Sequence, residues 1–566
     1  MDPAALSPQQ RRADLDRMRV ESFDVLVIGA GVTGAGIALD AASRGLDVAM
    51  VEQRDYAAGT SSRSSKLIHG GLRYLEQLNL GLVREALRER GLILHRLAPH
   101  LVRPVSFVYP LTHHVWERLY VGTGIAMYDK LGGSRDLPRH RHLSHRQTLE
   151  LIPSLRADAL VGAVRYWDAQ VDDARHTMEL ARTARTYGAR SANSTRVTGL
   201  VRDGDRVIGA RVRDQETGDE FDLRARQVVN ATGVWTNQIQ EMAGTGRIRV
   251  RASKGIHLVV PRERIDAGAG LILRTETSVL FVVPWGRYWL VGTTDTDWNL
   301  DLAHPAASAR DIQYLLDRVN RVLRTPLTHD DVTGVYAGLR PLLSGESEAT
   351  SQLSREHAVA RVAPGLVTIA GGKYTTYRVM ARDAVDEVAR QLPQRVPRSV
   401  TDRTPLLGAA GFHALWNRRA RIAHESGLGV SRVEHLLGRY GSMISEVLAL
   451  LAGRPELREP IAGAEHHMRV EAVYAAANEG ALHLDDLLTR RTHISIETFD
   501  RGVAAAHDIA PLMGDVLGWD GDTVAREIEH YQARVDAEVE SQRMPDDRTA
   551  DAARMGARDV RLGGAA

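Results

Sequence analysis

Residues 29–34 read Gly-Ala-Gly-Val-Thr-Gly, with Gly29, Gly31 and Gly34 in the G-x-G-x-x-G spacing. The chemistry suited to that spacing is the cradling of a pyrophosphate. Gly29 permits a tight turn from strand to helix, Gly31 lets backbone approach the phosphates, and Gly34 lets the helix pack closely on the strand. A helix starting there presents free N–H groups and the positive end of its dipole to an anion. Glu52, about 20 residues beyond Gly31, stands where a carboxylate binds a ribose hydroxyl. Three elements must hold these groups in place. Residues 23–28 form an apolar, β-branched run that predicts a buried parallel strand, residues 35–44 predict a helix ended by Gly45, and residues 47–51 predict a second strand stopping at Glu52.

The composition narrows the chemistry further. With 566 residues, 43% hydrophobic and 25% charged, the chain is a soluble globular protein of two or three domains. A net charge of +2 supplies no field for nucleic acid. With no cysteine, disulfides, thiolate metal sites and dithiol redox chemistry are excluded, and redox work requires a cofactor. No metal site is expected. Of 73 lysines and arginines only Lys66, Lys130, Lys254 and Lys373 are lysine, so each marks a place where a compact ammonium is preferred to a guanidinium fork. The polar N-terminus is not a signal peptide, and no run reaches the ~18 apolar residues of a membrane span.

The chain returns twice to the predicted nucleotide site. Residues 227–235 (QVVNATGVW) run as a strand into Ala231-Thr232-Gly233, and residues 366–376 (LVTIAGGKYTT) run into Gly371-Gly372, Lys373 and Thr375, with a helical pattern over 377–392. Such late returns resemble FAD proteins of the glutathione reductase type. They imply that Ala231, Gly233, Gly372 and Thr375 contact the cofactor, with a helix N-terminus beside the flavin.

The segment AAGTSSRSSKLIHGGLRYLEQ, residues 57–77, is similar to a signature of the FAD-dependent glycerol-3-phosphate dehydrogenases. VDDAR, NATGVW, SKGIHLVV, FVVPWGRYWLVGTTDTD, YAGLRPL and GGKYTTYR follow in the family's order, spanning roughly residues 24–390. LDDLLTRRTHIS, near the C-terminus, also looks similar. The resemblance implies that Thr60, Ser61, Ser62, Lys66, His69 and Gly71 lie against FAD, bound non-covalently. It implies a reaction in which sn-glycerol 3-phosphate becomes dihydroxyacetone phosphate and electrons pass to a quinone. One departure stands out: Arg63 replaces the small residue the family often has within TSSRSS.

Within that resemblance Arg340 is the first candidate for holding the substrate phosphate, since a guanidinium grips phosphate oxygens in a planar fork. Arg355, in QLSREH, and Lys373 are its expected partners. His257, one of 22 histidines, is the candidate base for the hydroxyl proton, because imidazole titrates near working pH. Lys254 is a candidate neighbour of the flavin. Asp295 and Asp297 invite a reading as paired carboxylates, but turn geometry is the better expectation for them.

These readings combine into an α/β fold: a Rossmann-like FAD-binding domain of the glutathione reductase type, a mixed-sheet substrate domain and a helical C-terminal domain. The FAD domain is expected at 20–100, 150–245 and 335–395, and the substrate domain at 245–335 with parts of 100–150. A proline-containing linker is expected at 393–408, helices at 409–545, and disorder beyond about Pro545. The expected partners are glycerol 3-phosphate, a quinone and a membrane surface, with a homodimer left open. Residues 115–131, which mix Trp116, Tyr120, Met127 and Tyr128 with Arg118 and Lys130, suit an interfacial segment. The expected location is cytoplasmic, at the inner face of the plasma membrane. An oxidase that delivers electrons to oxygen and a non-catalytic flavin sensor are the alternatives.

Overall fold

The structure is a computed structural model that describes residues 3–71, 79–113, 115–132, 137–244, 246, 248–275, 279–344 and 357–562. At its centre Ser22–Ile28 pairs in parallel with Val48–Val51 on one side and Glu220–Asn230 on the other. Leu366–Gly371 extends the parallel order beside Glu220–Asn230. Both faces of this sheet are buried, so its first strand is apolar at consecutive positions. Val25 and Val27 enter one hydrophobic cluster, and Leu26 and Ile28 enter another. The helices Val32–Ser43, Asp173–Thr186 and Tyr377–Ala389 pack together, with Ile37, Met178 and Ala384 in the first cluster. The helix Pro8–Val20, N-capped by Ser7, contributes Leu15 and Met18 to the second. The parallel strands end along one edge, which is where ligands bind in such sheets.

A second sheet, of ten strands among the described residues, lies beside the first. Its long strand Val250–Pro261 pairs antiparallel with Gly334–Leu343 and with Tyr288–Gly292. This sheet takes in more chain than residues 245–335. Gly162–Val171 and Gly334–Leu343, expected in the FAD domain, are strands of it, because each completes an unbroken antiparallel ladder with Val102–Leu111 or Val250–Pro261. A boundary drawn from motif order misses such ladders, since their partners lie tens of residues away.

The C-terminal part from Phe412 to Arg554 is mostly helical, interrupted by the short antiparallel pair Pro460–Ile461 and Ala464–Met468, around two apolar clusters. The expectation of disorder beyond Pro545 is incorrect. Asp547–Arg554 is a helix whose N-cap, Asp546, accepts from Thr549 N. Ion pairs pin the tail: Asp547 to Lys254, Asp559 to Arg54, and Arg561 to Asp486. A polar tail orders when its charges meet buried opposites, and composition does not reveal that. Among the described residues no helix is long and apolar enough to cross a membrane.

Candidate active site

A cavity of about 330 Å³ runs from the glycine turn to the second sheet. At its first end Gly29 adopts φ +102, and a Cβ there would meet the Ala231 carbonyl oxygen at 2.9 Å. Gly34 does not line the cavity, yet it is the tightest position of the turn, since its Cβ would lie 1.9 Å from Gly29 O. Gly31 faces Ser61, whose Oγ accepts from Val32 N at 2.9 Å and so holds the first turn of the helix. Glu52 closes this end. Its Oε2 accepts from Ala30 N and its Oε1 from Arg54 N, both at 2.9 Å. Burial raises the Glu52 carboxyl above its ordinary pKa, against the pull of these two N–H groups. Each oxygen keeps a further lone pair for a hydroxyl.

The middle of the wall comes from the loop 57–71 and the two later returns. Thr60, Ser61, His69, Ala231, Gly233, Gly372 and Thr375 all line the cavity. Thr60 Oγ1 donates to Leu339 O at 2.5 Å. Thr375 Oγ1 accepts from His69 N at 3.1 Å and donates to His69 O, which clasps the late return to the early loop. Ser62, Lys66 and Gly71, expected against FAD, are not among the residues lining the cavity. Lys66 is fully buried with φ +56, paired to Asp173 and placed 5.0 Å from the Trp285 ring. It braces the loop from behind, where an ammonium fits between a carboxylate and an indole.

At the far end His257, Arg340 and Lys373 line the same cavity. Arg355 lies outside the described residues. His257 stacks on Tyr336, with centroids 4.8 Å apart and planes 9° apart, and Gly292 leaves the ring its space. Its Nε2 is 2.9 Å from Ser65 Oγ, and among the described residues its Nδ1 has no hydrogen-bond partner. Burial, then Arg340 and Lys66, push its pKa down to about 3, so the ring is neutral but a weaker base than the imidazole titrating near working pH that the sequence suggested. Arg340 donates to Thr294 O at 3.2 Å and Thr293 Oγ1 at 3.1 Å, and pairs with Asp295 at 3.3 Å. Asp295 also accepts from Ser253 Oγ.

Lys254 is absent from this wall, contrary to its reading as a flavin neighbour. Side chains alternate across a strand, so Gly255 and His257 face the cavity while Lys254 points away to Asp311 and Asp547. The sequence reading missed Thr293 and Tyr336, and it assigned Asp295 to turn geometry, whereas the carboxylate pairs with Arg340 at the cavity. Asp295 stood inside the quoted TTDTD segment, but its partner Arg340 is too distant in sequence for spacing to suggest the pair.

The cavity fits FAD. It offers a turn without Cβ atoms for a pyrophosphate, a carboxylate at the end of the second strand for a ribose, and a wall of loop and helix start at 371–375. Residues 24–378 match the family described as FAD dependent oxidoreductase, and residues 399–524 match the C-terminal domain of alpha-glycerophosphate oxidase. The chain is 58% identical to glycerol-3-phosphate dehydrogenase 2 of Mycobacterium tuberculosis, over 99% of this chain and 96% of that one. It is 37% identical to the human mitochondrial glycerol-3-phosphate dehydrogenase, over 92% of this chain and 74% of the relative. The solved glycerol-3-phosphate dehydrogenase from Bacillus halodurans, complexed with FAD, superposes with a TM-score of 0.78 at 29% identity, covering 94% of this chain and 97% of the other. The chain belongs to the FAD-dependent glycerol-3-phosphate dehydrogenase family.

Proposed function

We propose that this chain oxidises sn-glycerol 3-phosphate to dihydroxyacetone phosphate and delivers the two electrons to a quinone at a membrane surface. The observation that carries the reading is the meeting of Arg340, Lys373 and neutral His257 in the cavity that begins at the glycine turn. A phosphate dianion leaves water only where fixed donors replace its hydration. Arg340, already oriented by Asp295 and Thr293, offers such a donor, and Lys373 adds charge. Arg355 is proposed as the third cation. With the phosphate anchored, His257 is the acceptor for the hydroxyl proton of the carbinol at Nδ1, in the tautomer whose Nε2–H donates to Ser65 Oγ. When bound, FAD supplies the two-electron acceptor for the carbinol carbon. Fixing hydroxyl, base and phosphate in one register removes much of the entropic barrier.

For the acceptor, the helix Trp116–Gly132 is informative. Trp116, Leu119, Tyr120 and Met127 are exposed, Val115 just before it is 78% exposed, and Lys130 is exposed beside them. Ile125 and Tyr128 face inward, and Tyr128 OH accepts from Gly70 N at 2.7 Å. An apolar outer stripe with a nearby cation suits the plane of a lipid interface, and its inner face touches the loop of the cofactor site. The proposed location is therefore peripheral, on the cytoplasmic face of the membrane. Glycerol 3-phosphate should bleach the flavin under anaerobic conditions, and a quinone analogue should restore its colour faster than oxygen. Stoichiometric hydrogen peroxide without quinone reduction would instead make the protein an oxidase. Flotation with anionic liposomes tests the membrane contact, and Leu119→Glu should abolish it.

A further inference from the structure

A second cavity, of about 70 Å³, lies behind the cofactor loop where three parts of the chain meet. Ser62 and Arg63 come from that loop, Val335 and Ala337 from the second sheet, and Arg490, Arg534 and Arg554 from the C-terminal domain. Its arginines fall into two classes. Arg490 pairs with Asp55 and Asp485, and Arg534 pairs with Asp485 and Glu538. Arg63 and Arg554 have no carboxylate within ion-pair distance among the described residues. Among the described residues the Arg63 guanidinium donates to Ala337 O, at 3.3 Å. Arg554 is 5% exposed, and among the described residues its guanidinium donates to His304 Nδ1, at 3.2 Å.

His304 cannot serve as a counter-charge. Burial and then Arg54 hold its pKa well down, so its Nδ1 accepts from the guanidinium while Nε2–H donates to Asp559 at 3.1 Å. Four arginines, Arg63, Arg490, Arg534 and Arg554, line the cavity with one carboxylate, Glu538, which with Asp485 partly offsets the charge around Arg554. Arg63 is pushed down to about 9 by burial and then by Arg54 and Arg490, and Arg554 to about 10 by burial and then by Arg534. A buried guanidinium without an anion is costly, and a forked donor matches an oxyanion. Roughly 10–15 Å³ suffices for one water, so a small oxyanion fits.

We propose that this cavity binds one tetrahedral oxyanion of the phosphate type, between Arg63 and Arg554, and that the anion ties the C-terminal tail to the cofactor loop. Of the two cavities, Arg63 lines the cofactor cavity as well as this one, whereas Arg554 lines only this one, so it is the Arg554 side of the site that stands apart from the one assigned to the substrate phosphate. It also gives Arg63, the departure within TSSRSS, a partner. The anion would bridge residues nearly 500 positions apart in sequence, so its binding should be read out as stability of the whole chain.

The test titrates inorganic phosphate into FAD-loaded Arg340→Ala, which removes the main anchor of the first site. We expect one phosphate per chain by calorimetry and a rise in Tm of several degrees that chloride at equal ionic strength does not reproduce. Adding Arg554→Met or, separately, Arg63→Ala should weaken that binding at least tenfold and remove the Tm rise. A phosphomonoester is titrated in parallel: a response to inorganic phosphate alone identifies the free ion, and a response to both identifies the phosphoryl group of a metabolite. The proposal is overturned if Arg340→Ala no longer binds phosphate, or if both added substitutions leave its affinity unchanged. Arg554→Lys keeps the charge and loses the fork, so it should fold and retain only part of the affinity.

Discussion

The two ends of the main cavity are built by different means. The glycine-turn end is made of backbone: Gly34 and Gly29 approach within a distance that admits no Cβ, and Glu52 is held by two N–H groups. The substrate end is made of side chains, each set by a residue far away in sequence, as Arg340 is by Asp295 and His257 is by Tyr336. Backbone construction tolerates no substitution but leaves a short, readable motif. Side-chain construction leaves no motif of its own, yet it can be altered piece by piece. Changes at the first end should therefore be all-or-none, and changes at the second should be graded.

The largest effect is expected at Gly34. With Gly29 O at 1.9 Å from a Cβ, Gly34→Val must push the helix off the strand and open the turn. The purified protein should be colourless and should not take up FAD. A yellow, stoichiometrically loaded Gly34→Val would show that the turn yields, and would remove the contrast between the two ends.

Next comes Arg340→Ala, which should keep its flavin and lose about 2–5 kcal/mol in kcat/KM for glycerol 3-phosphate, the range for truncating one member of a buried charge pair. Activity on free glycerol should barely change. Equal losses on both substrates would make the arginine structural. Arg340→Lys, which keeps the charge without the fork, should fall in between.

The same contrast explains what the sequence revealed. The turn, its two strands and its helix occupy contiguous residues, and the observed Ser22–Ile28, Val32–Ser43 and Val48–Val51 lie within a few residues of the expected runs. The family motifs identified Arg340, His257 and Lys373 as candidates, and the fold brings them to one cavity. What stayed hidden depends on which way a side chain faces. Lys66 and Lys254 sit inside motifs as conspicuous as that of Lys373, yet both turn from the cavity to buried carboxylates. The strand Gly334–Leu343 carries Arg340 within a sheet whose membership is decided by pairing with residues 250–259. The tail beyond Pro545 read as disordered because its buried partners, Lys254, Arg54 and Asp486, are scattered across the chain.

A smaller loss is expected from His257→Asn, on the order of 10²-fold in single-turnover flavin reduction, the lower bound for a general base. The pH dependence sharpens this. Because the folded pKa is depressed to about 3, the ring is already neutral in the free enzyme, and the kcat/KM profile from pH 5 to 8 should keep its shape in the variant. Stability carries the opposite signature. The unfolded imidazole takes up a proton near pH 6.5 while the folded one resists until about 3, so stability is lost as pH falls through that window. Between pH 7 and 5 the Tm of the wild type should therefore drop further than that of His257→Asn. A free-enzyme ionisation near 6.5 that vanishes in the variant would contradict the buried, neutral ring.

The smallest effect, and the one that separates positioning from attraction, is expected at Asp295. Its carboxylate fixes the Arg340 guanidinium, but it also cancels part of the charge the phosphate must feel. The pair is partly open to solvent, with Arg340 23% exposed, so the ion pair itself contributes only about 0–1 kcal/mol. Asp295→Asn keeps the shape and an acceptor oxygen while removing the negative charge. Electrostatics then favour tighter binding of a dianion, whereas looser orientation disfavours the reaction. KM for glycerol 3-phosphate should hold or fall, and kcat should fall about three- to tenfold, an interval of roughly 1 kcal/mol. Asp295→Glu, which restores charge at a displaced position, should return KM toward the wild-type value without restoring kcat. If Asp295→Asn raises KM as Arg340→Ala does while kcat stays constant, the carboxylate acts only by keeping the arginine in the cavity. The far end would then be as indivisible as the glycine turn.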